Sequence, residues 1–339
     1  MKREVHLVGS VPLADADEVF RAVGATLGDH IARLPDGETG ARKNWISWQY
    51  PLFAEHPALE RDPAPVPEYR YPLIRLRAGA SASDVRFGPL GYAAHAIESY
   101  ARFARLKADG VIAAGARFLV SLPTPLAPVA TFVTPQQIPL LAPRYAEALM
   151  GELAAIGAAV PHAELAVQWD VAVEMAVWEG VFPRPPGDWQ TPIVDGLARL
   201  GAAVPADVEL GYHLCYGDRN HQHFKQPEDA GALVDVATRV FAKLPRAPAW
   251  LHVPVPRDRD DDAYFAPLAR LALPKPTRLF LGLVHFTDGL EGARRRMAAA
   301  SRVVDGFGVA TECGLGRRDP STIPALLRLH ADIADAPRE

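Results

Sequence analysis

Short apolar, β-branched runs that end in polar or turn residues alternate along the chain with longer stretches whose apolar positions recur every three and four residues. The short runs predict eight strands, at residues 4–9, 30–35, 116–122, 164–170, 208–216, 249–255, 278–286 and 307–313. The longer stretches predict helices at 14–27, 92–110, 136–159, 190–203, 227–243, 262–272, 290–304 and 321–335. A strand followed by a helix, eight times over, predicts an α/β fold: a (β/α)8 TIM barrel formed by residues 1–339 as a single domain. An open, doubly wound sheet is the second architecture that this alternation allows. After the second strand, residues 39–91 read as an insertion. Trp45, Trp48, Tyr50, Phe53 and the prolines from Pro51 to Pro72 crowd together there, which predicts a packed excursion over part of the barrel mouth rather than a linker. No repeat of fixed period and no low-complexity tract interrupts the pattern.

Composition narrows the function. Hydrophobic residues make up 49% and charged residues 22% of the 339 positions, the range of a folded globular chain. The formal charge is −4 with acidic and basic residues interspersed, so no cationic face for nucleic acid or anionic lipid is expected. No apolar run is long enough to span a bilayer, and the start moves from charged residues directly into a strand-like segment; a cytoplasmic location is the expectation. Proline, at 32 positions, is roughly twice as frequent as usual and implies many fixed loops. The two cysteines, Cys215 and Cys313, are too few for a disulfide framework.

In a barrel of this kind, chemistry sits at the C-terminal ends of the strands. The predicted strands end in Gly9-Ser10, Asp36-Gly37-Glu38, Gln168-Trp169-Asp170, His213-Leu214-Cys215, His252, His285 and Glu312-Cys313. Polar residues at strand ends are ordinary; both cysteines falling there is not. His213 and Cys215 are two apart on one strand, so their side chains leave on the same face and can share an ion. Cys313 would reach the same mouth, and His252 stands as a further ligand. Thiolates with imidazole favour zinc. The plain alternative makes the cysteines small buried residues and His213 a hydrogen-bonded core histidine.

Taken together, these residues resemble the catalytic barrel of cobalamin-independent methionine synthase and, more distantly, the superfamily that includes uroporphyrinogen decarboxylase. Val8-Gly9-Ser10 is similar to the family's I-G-S, Asp36-Gly37-Glu38 to its H-G-E, Gln168-Trp169-Asp170 to its Q-I-D, His213-Leu214-Cys215-Tyr216 to its H-M-C-Y, and Glu312-Cys313-Gly314-Leu315 to its D-C-G-L, all in the family's order. The resemblance implies zinc on His213, Cys215 and Cys313, and an amino-acid thiol held by Ser10, Glu38 and Asp170, with Trp169 beside them. It implies Asp170 and His285 as catalytic residues, His285 in the place of the family's acid. Two departures stand out. The family's fourth zinc ligand is a glutamate ending the sixth strand, where this chain has Trp250-Leu251-His252-Val253-Pro254, and its L-T-G-P-V segment is replaced by residues 122–129. The N-terminal half of the full-length synthases has no counterpart in these residues.

The expectation is therefore a zinc-dependent methyl- or alkyltransferase whose partners are a small thiol and an alkyl donor. A thiol of pKa about 8.5 is mostly protonated at neutral pH, and zinc makes it a nucleophile. A zinc-dependent lyase or hydrolase of a small sulfur or carboxylate compound, or a metal-free binding barrel, are the alternatives that the same residues allow. Other signals carry less. His221-Gln222-His223 reads as a polar loop, Asp258 to Asp262 as a helix cap, and Trp45 with Trp48 as packing. Arg317-Arg318 reads equally as an anion clamp or a solvated turn.

Overall fold

The computed structural model describes residues 3–64, 71–219 and 222–336. Its strands are β1 (Arg33–Pro35), β2 (Leu59–Arg61), β3 (Ile74–Leu76), β4 (Arg117–Pro123), β5 (Leu165–Val171), β6 (Glu209–Leu214), β7 (Trp250–Pro254), β8 (Arg278–Val284) and β9 (Gly308–Thr311). Seven of them form one parallel sheet in the order β1-β4-β5-β6-β7-β8-β9. Every neighbour follows in chain order, with none of the strand-order reversal that defines a doubly wound sheet.

The sheet is curled, and residues 4–10 lie against both of its edges. Val5 bridges in parallel to Ile31 on one side and to Val309 on the other. The Val5 amide donates to the His30 carbonyl at 2.7 Å, and the His6 amide to the Val309 carbonyl at 2.9 Å. The first predicted strand thus exists as a pair of bridges rather than as a regular ladder. Seven of the eight predicted strands recur as ladder strands within two residues or so of their expected ends, except that β1 keeps only the last half of its run.

Long amphipathic helices cover the convex face, among them Ala16–Leu27, Tyr92–Ala108, Ile138–Ala159, Gln190–Ala203 and Ile323–Asp335. Helix Ala16–Leu27 starts on an Asp15 cap whose carboxylate accepts from the Glu18 amide. The helix predicted at 262–272 is instead a single α-turn, Asp262–Phe265, running into a 3-10 segment, because Pro267 interrupts the pattern at once. Residues 39–91 hold 3-10 turns, helix Tyr50–Ala54 and the antiparallel hairpin β2-β3, which the sequence pattern did not reveal. Phe53, Phe87, Phe132 and Tyr145 pack there edge to face and stacked, tying the segment to the helical layer.

Strand alternation divides the core in two. Trp169, Tyr212 and Leu251, in register with one another, join the large apolar core beneath the helices. On the concave side a small cluster of Leu119, Ala166, Trp250 and Phe280 closes one end of the interior. Arg33 lies over the Trp250 ring at 4.5 Å and pairs with Glu209 at 2.6 Å and Glu4 at 3.1 Å. With one end plugged by this cluster, the polar residues at the strand C-termini are left facing a cavity at the other.

Candidate metal centre and substrate cavity

The register sets the site. Asp170 on β5, His213 on β6 and His252 on β7 are aligned partners and form one row across the concave face, with Gln168, Gly211 and Trp250 in the row below. A Cβ at Gly211 would fall inside the Trp250 indole, so only glycine lets that ring lie flat in the interior. The ring's Nε1 donates to Gln168 Oε1 at 3.2 Å, and Gln168 Nε2 donates to Asp170 Oδ1 at 2.9 Å and to the Val8 carbonyl at 2.7 Å. Packing at the plugged end therefore fixes a carboxylate at the open one.

His213, Cys215 and Cys313 each offer a ligand atom, and the three atoms lie within 4.8 Å of one another. The two sulfurs are 3.6 Å apart, close to the roughly 3.8 Å that two thiolates take up around one tetrahedral zinc at about 2.3 Å each. The Gly217 amide donates to Cys215 Sγ at 3.2 Å. The Cys313 thiol is pushed well above its usual range, first by its hydrogen bond with Cys215 and then by burial. A cation held there would favour the ionised thiol.

His252 turns away from the thiols. Its Nε2 lies 3.0 Å from the Thr311 carbonyl and its Nδ1 2.6 Å from His213 Nδ1. A carbonyl only accepts, so Nε2 of His252 carries the hydrogen. Its Nδ1 then accepts from His213 Nδ1, because burial holds both rings neutral, the pKa of His252 being lowered to about 3. His213 Nε2 is left as a bare lone pair, buried and without a partner. An orphaned imidazole nitrogen beside two thiols fits zinc, and the residues that would hold it are His213, Cys215 and Cys313. His252, expected as a further ligand, has both of its nitrogens already engaged, one of them by His213.

The cluster opens on a cavity of about 340 Å³ whose wall includes Ser10, Glu38, Trp45 and Asp170. Asp36 holds the Glu38 loop: its Oδ1 accepts from the Glu38 amide at 2.9 Å, and its Oδ2 from Arg42 at 2.8 Å and Ser99 at 2.7 Å. Glu38 sits at φ 46°, a left-handed conformation unusual for a non-glycine residue, and the absence of a side chain at Gly9 leaves room for its carboxylate. Burial raises both acids, Glu38 well above its usual range with Asp170 adding to the effect, and Asp170 to about 7. Ser10 Oγ accepts from the Gly316 amide at 3.1 Å and anchors the loop after β9.

No protein-family model matches the chain, and no curated protein matches it. Solved structures do. A B12-independent methionine synthase from Shewanella sp. W3-18-1, in complex with selenomethionine, superposes with a TM-score of 0.60 over 99% of this chain and 97% of that one, at 16% identity. A protein from Listeria monocytogenes, provisionally assigned as a vitamin-B12-independent methionine synthase, superposes with a TM-score of 0.54 over 94% of this chain and 86% of that one, also at 16% identity. The chain has their fold.

Three expected site residues lie off the cavity wall. Trp169 points to the convex face, where its Nε1 donates to the Leu200 carbonyl at 3.1 Å; alternation along β5 that brings Asp170 inward sends Trp169 outward. His285 is buried, with Nε2 on the Val255 carbonyl at 2.9 Å and Nδ1 3.0 Å from Glu312 Oε2. Burial disfavours the charged ring, yet with Nε2 donating to a carbonyl the contact at Nδ1 needs a proton shared with Glu312, so both ring nitrogens are committed to neighbours away from the cavity wall. His252 is the third. Conversely, His223, discounted as a loop residue, lines the cavity with a buried, unpartnered Nδ1, while His221 lies outside the described residues. The two tryptophans separate as well: Trp45 lines the cavity, and Trp48 packs edge-on against Tyr92 and His95. No helix among the described residues is long and apolar enough to cross a membrane.

Proposed function

We propose that the chain is a zinc-dependent methyl- or alkyltransferase that activates a small amino thiol, built as a (β/α)8 barrel in which residues 4–10 serve as the first stave. The barrel reading rests on the Val5 bridges to both sheet edges. The functional reading rests on one observation above all: His213, whose Nε2 is buried and bare, clusters with two thiols in the wall of one cavity. The methionine synthase named for the Shewanella structure, with its bound selenomethionine, supports a sulfur-centred reaction on this fold.

In this reading His213, Cys215 and Cys313 hold the ion, and His252 holds His213 in the tautomer that presents Nε2. Bound there, zinc supplies a thiol that is ionised at neutral pH yet still nucleophilic. Glu38 and Asp170 pair with the substrate's ammonium and fix its sulfur. As the sulfur lone pair forms the new carbon–sulfur bond, the carbon's bond to the donor breaks, and the leaving group takes that electron pair and then a proton. His223, the unpartnered imidazole in the wall, is held neutral by burial, its pKa lowered to about 4, and would offer Nδ1 as an acceptor for the proton that the thiol gives up and the leaving group takes. Trp45 offers a flat face to the donor. A cytoplasmic setting, which keeps both thiols reduced, suits this chemistry.

The test is a cobalt-substituted sample titrated with a panel of thiols. A new sulfur-to-metal absorption band with an amino thiol, absent in a Cys215→Ser, Cys313→Ser double variant that stays folded, is the expected result. Stoichiometric metal retained by that double variant refutes the centre. A metal centre whose spectrum no thiol perturbs refutes thiol activation and leaves a lyase or hydrolase.

A further inference from the structure

A second cavity, of about 440 Å³, adjoins the first. Lys43 and Arg317 stand in the walls of both, so the two volumes meet between these side chains. Their walls differ in charge. The first cavity has the carboxylates Glu38, Asp170 and Asp218 beside its cations, whereas the second has Lys43, Arg317 and Arg318 and, among the described residues, no carboxylate in its wall.

The cations are set there by backbone packing. A Cβ on Gly316 would collide with the Lys43 carbonyl, so the loop after β9 lies directly on the loop that carries Lys43. Lys43 and Arg317 are exposed, and among the described residues neither makes an ion pair or a side-chain hydrogen bond. Of the acids nearby, Asp36 pairs with Arg42, Asp319 accepts from the Ser321 amide at 2.9 Å, and Glu38, which Arg317 influences electrostatically, lies in the wall of the first cavity and not of the second. Arg318 adds the second, independent sign. Its side chain is only 10% exposed and reaches Glu312 at 3.4 Å, yet its Nε is buried with no partner. A buried guanidinium N–H without an acceptor costs free energy that an anionic ligand would recover.

We propose that the second cavity is an anion subsite, in which Lys43, Arg317 and Arg318 bind a carboxylate or phosphate on a ligand whose other end enters the first cavity between Lys43 and Arg317. The volume accommodates such a group with several further atoms. That this ligand is the alkyl donor rests on the transfer reading above; the anion site itself does not.

The experiment is calorimetric titration of the zinc-loaded chain at low ionic strength with inorganic phosphate and, separately, with glutarate. The Lys43→Gln, Arg317→Gln double variant is run beside it, since both residues are exposed and their loss leaves the core alone. Binding of either probe, weakened about tenfold or more in the double variant, is the expected result, and the preferred probe tells phosphate from carboxylate. No binding of either probe at millimolar concentration, or equal binding by the double variant, overturns the subsite. Zinc content and thiol response are read on the same samples: anion binding with no thiol response defeats only the transfer reading, and the converse defeats only the subsite.

Discussion

Replacing Glu38 or Asp170 by its amide should erase the site's preference for a thiol that bears an ammonium group. The measured quantity is the ratio of affinities for cysteamine and for ethanethiol, read from the absorption of the cobalt-substituted protein. Both ligands place a sulfur on the metal, and well below both thiol pKa values each gives up one proton on binding, so the pH dependence of thiol ionisation cancels in the ratio; the change of the ratio between wild type and variant isolates the ammonium contact. A charge-assisted hydrogen bond contributes about 1.5 to 3 kcal/mol, or roughly ten- to a hundredfold in affinity for each carboxylate engaged. Against this stands the cost of ionising a buried acid. Asp170, with its pKa raised to about 7, is half protonated at neutral pH, so pairing it costs only about 0.4 kcal/mol at pH 7 but about 1.4 kcal/mol at pH 6. The preference should therefore fall as pH drops below 7 and grow above it, and Glu38, raised as well, acts in the same direction. In Glu38→Gln and Asp170→Asn the ratio should fall by about tenfold or more from the wild-type value and lose part of its pH dependence while metal content stays constant. A ratio that is unchanged in both variants, or one that increases on acidification, would refute the assignment of these carboxylates to an ammonium.

Three other outcomes follow from the same contacts. His252→Leu should lower zinc affinity about 10- to 100-fold with both thiols intact, because His213 loses the acceptor that fixes its tautomer; unchanged affinity in a competition with a chelator would show that the pairing is incidental. Asp170→Asn should stabilise the metal-free protein above pH 7, on the order of 4 kcal/mol in denaturant titration, and have little effect below pH 4. The sign follows from a folded pKa raised to about 7: the native state holds the proton more tightly, so the group's favourable contribution is complete below the unfolded pKa and is lost as pH rises through 7. Gly211→Ala should cost about 1 to 3 kcal/mol by displacing Trp250, and should also weaken cysteamine binding, since Trp250 positions Gln168 and Gln168 positions Asp170; a fall in stability with binding intact would break that chain of contacts.

The sequence by itself determined what depends on local periodicity. Apolar runs of period two and stretches of period three to four produce seven ladder strands and most of the helices close to their expected bounds, because each element must bury one face whatever surrounds it. His213 and Cys215 were legible as a pair for the same reason: two residues apart on a strand means one face. The positions of Cys313, Glu38 and Asp170 at strand ends were legible once the strands were. What lay beyond was everything set by contacts between distant segments. Residues 4–10 look like a strand in the sequence but make only bridges, since their partners at residues 30–37 and 309 are supplied by other parts of the chain. His252 reads as a ligand from its strand end. Only the register of β6 against β7 brings its Nδ1 onto His213, and only the Thr311 carbonyl decides which nitrogen carries the hydrogen. Trp169 and His285 were misplaced because a strand-end motif says nothing about which way one residue faces or which buried carbonyl captures a ring. His223 was passed over because a loop has no period to read. The junction of Lys43 with Arg317 joins residues 274 positions apart, through a backbone contact that the missing side chain of Gly316 permits, and no local pattern records such a contact.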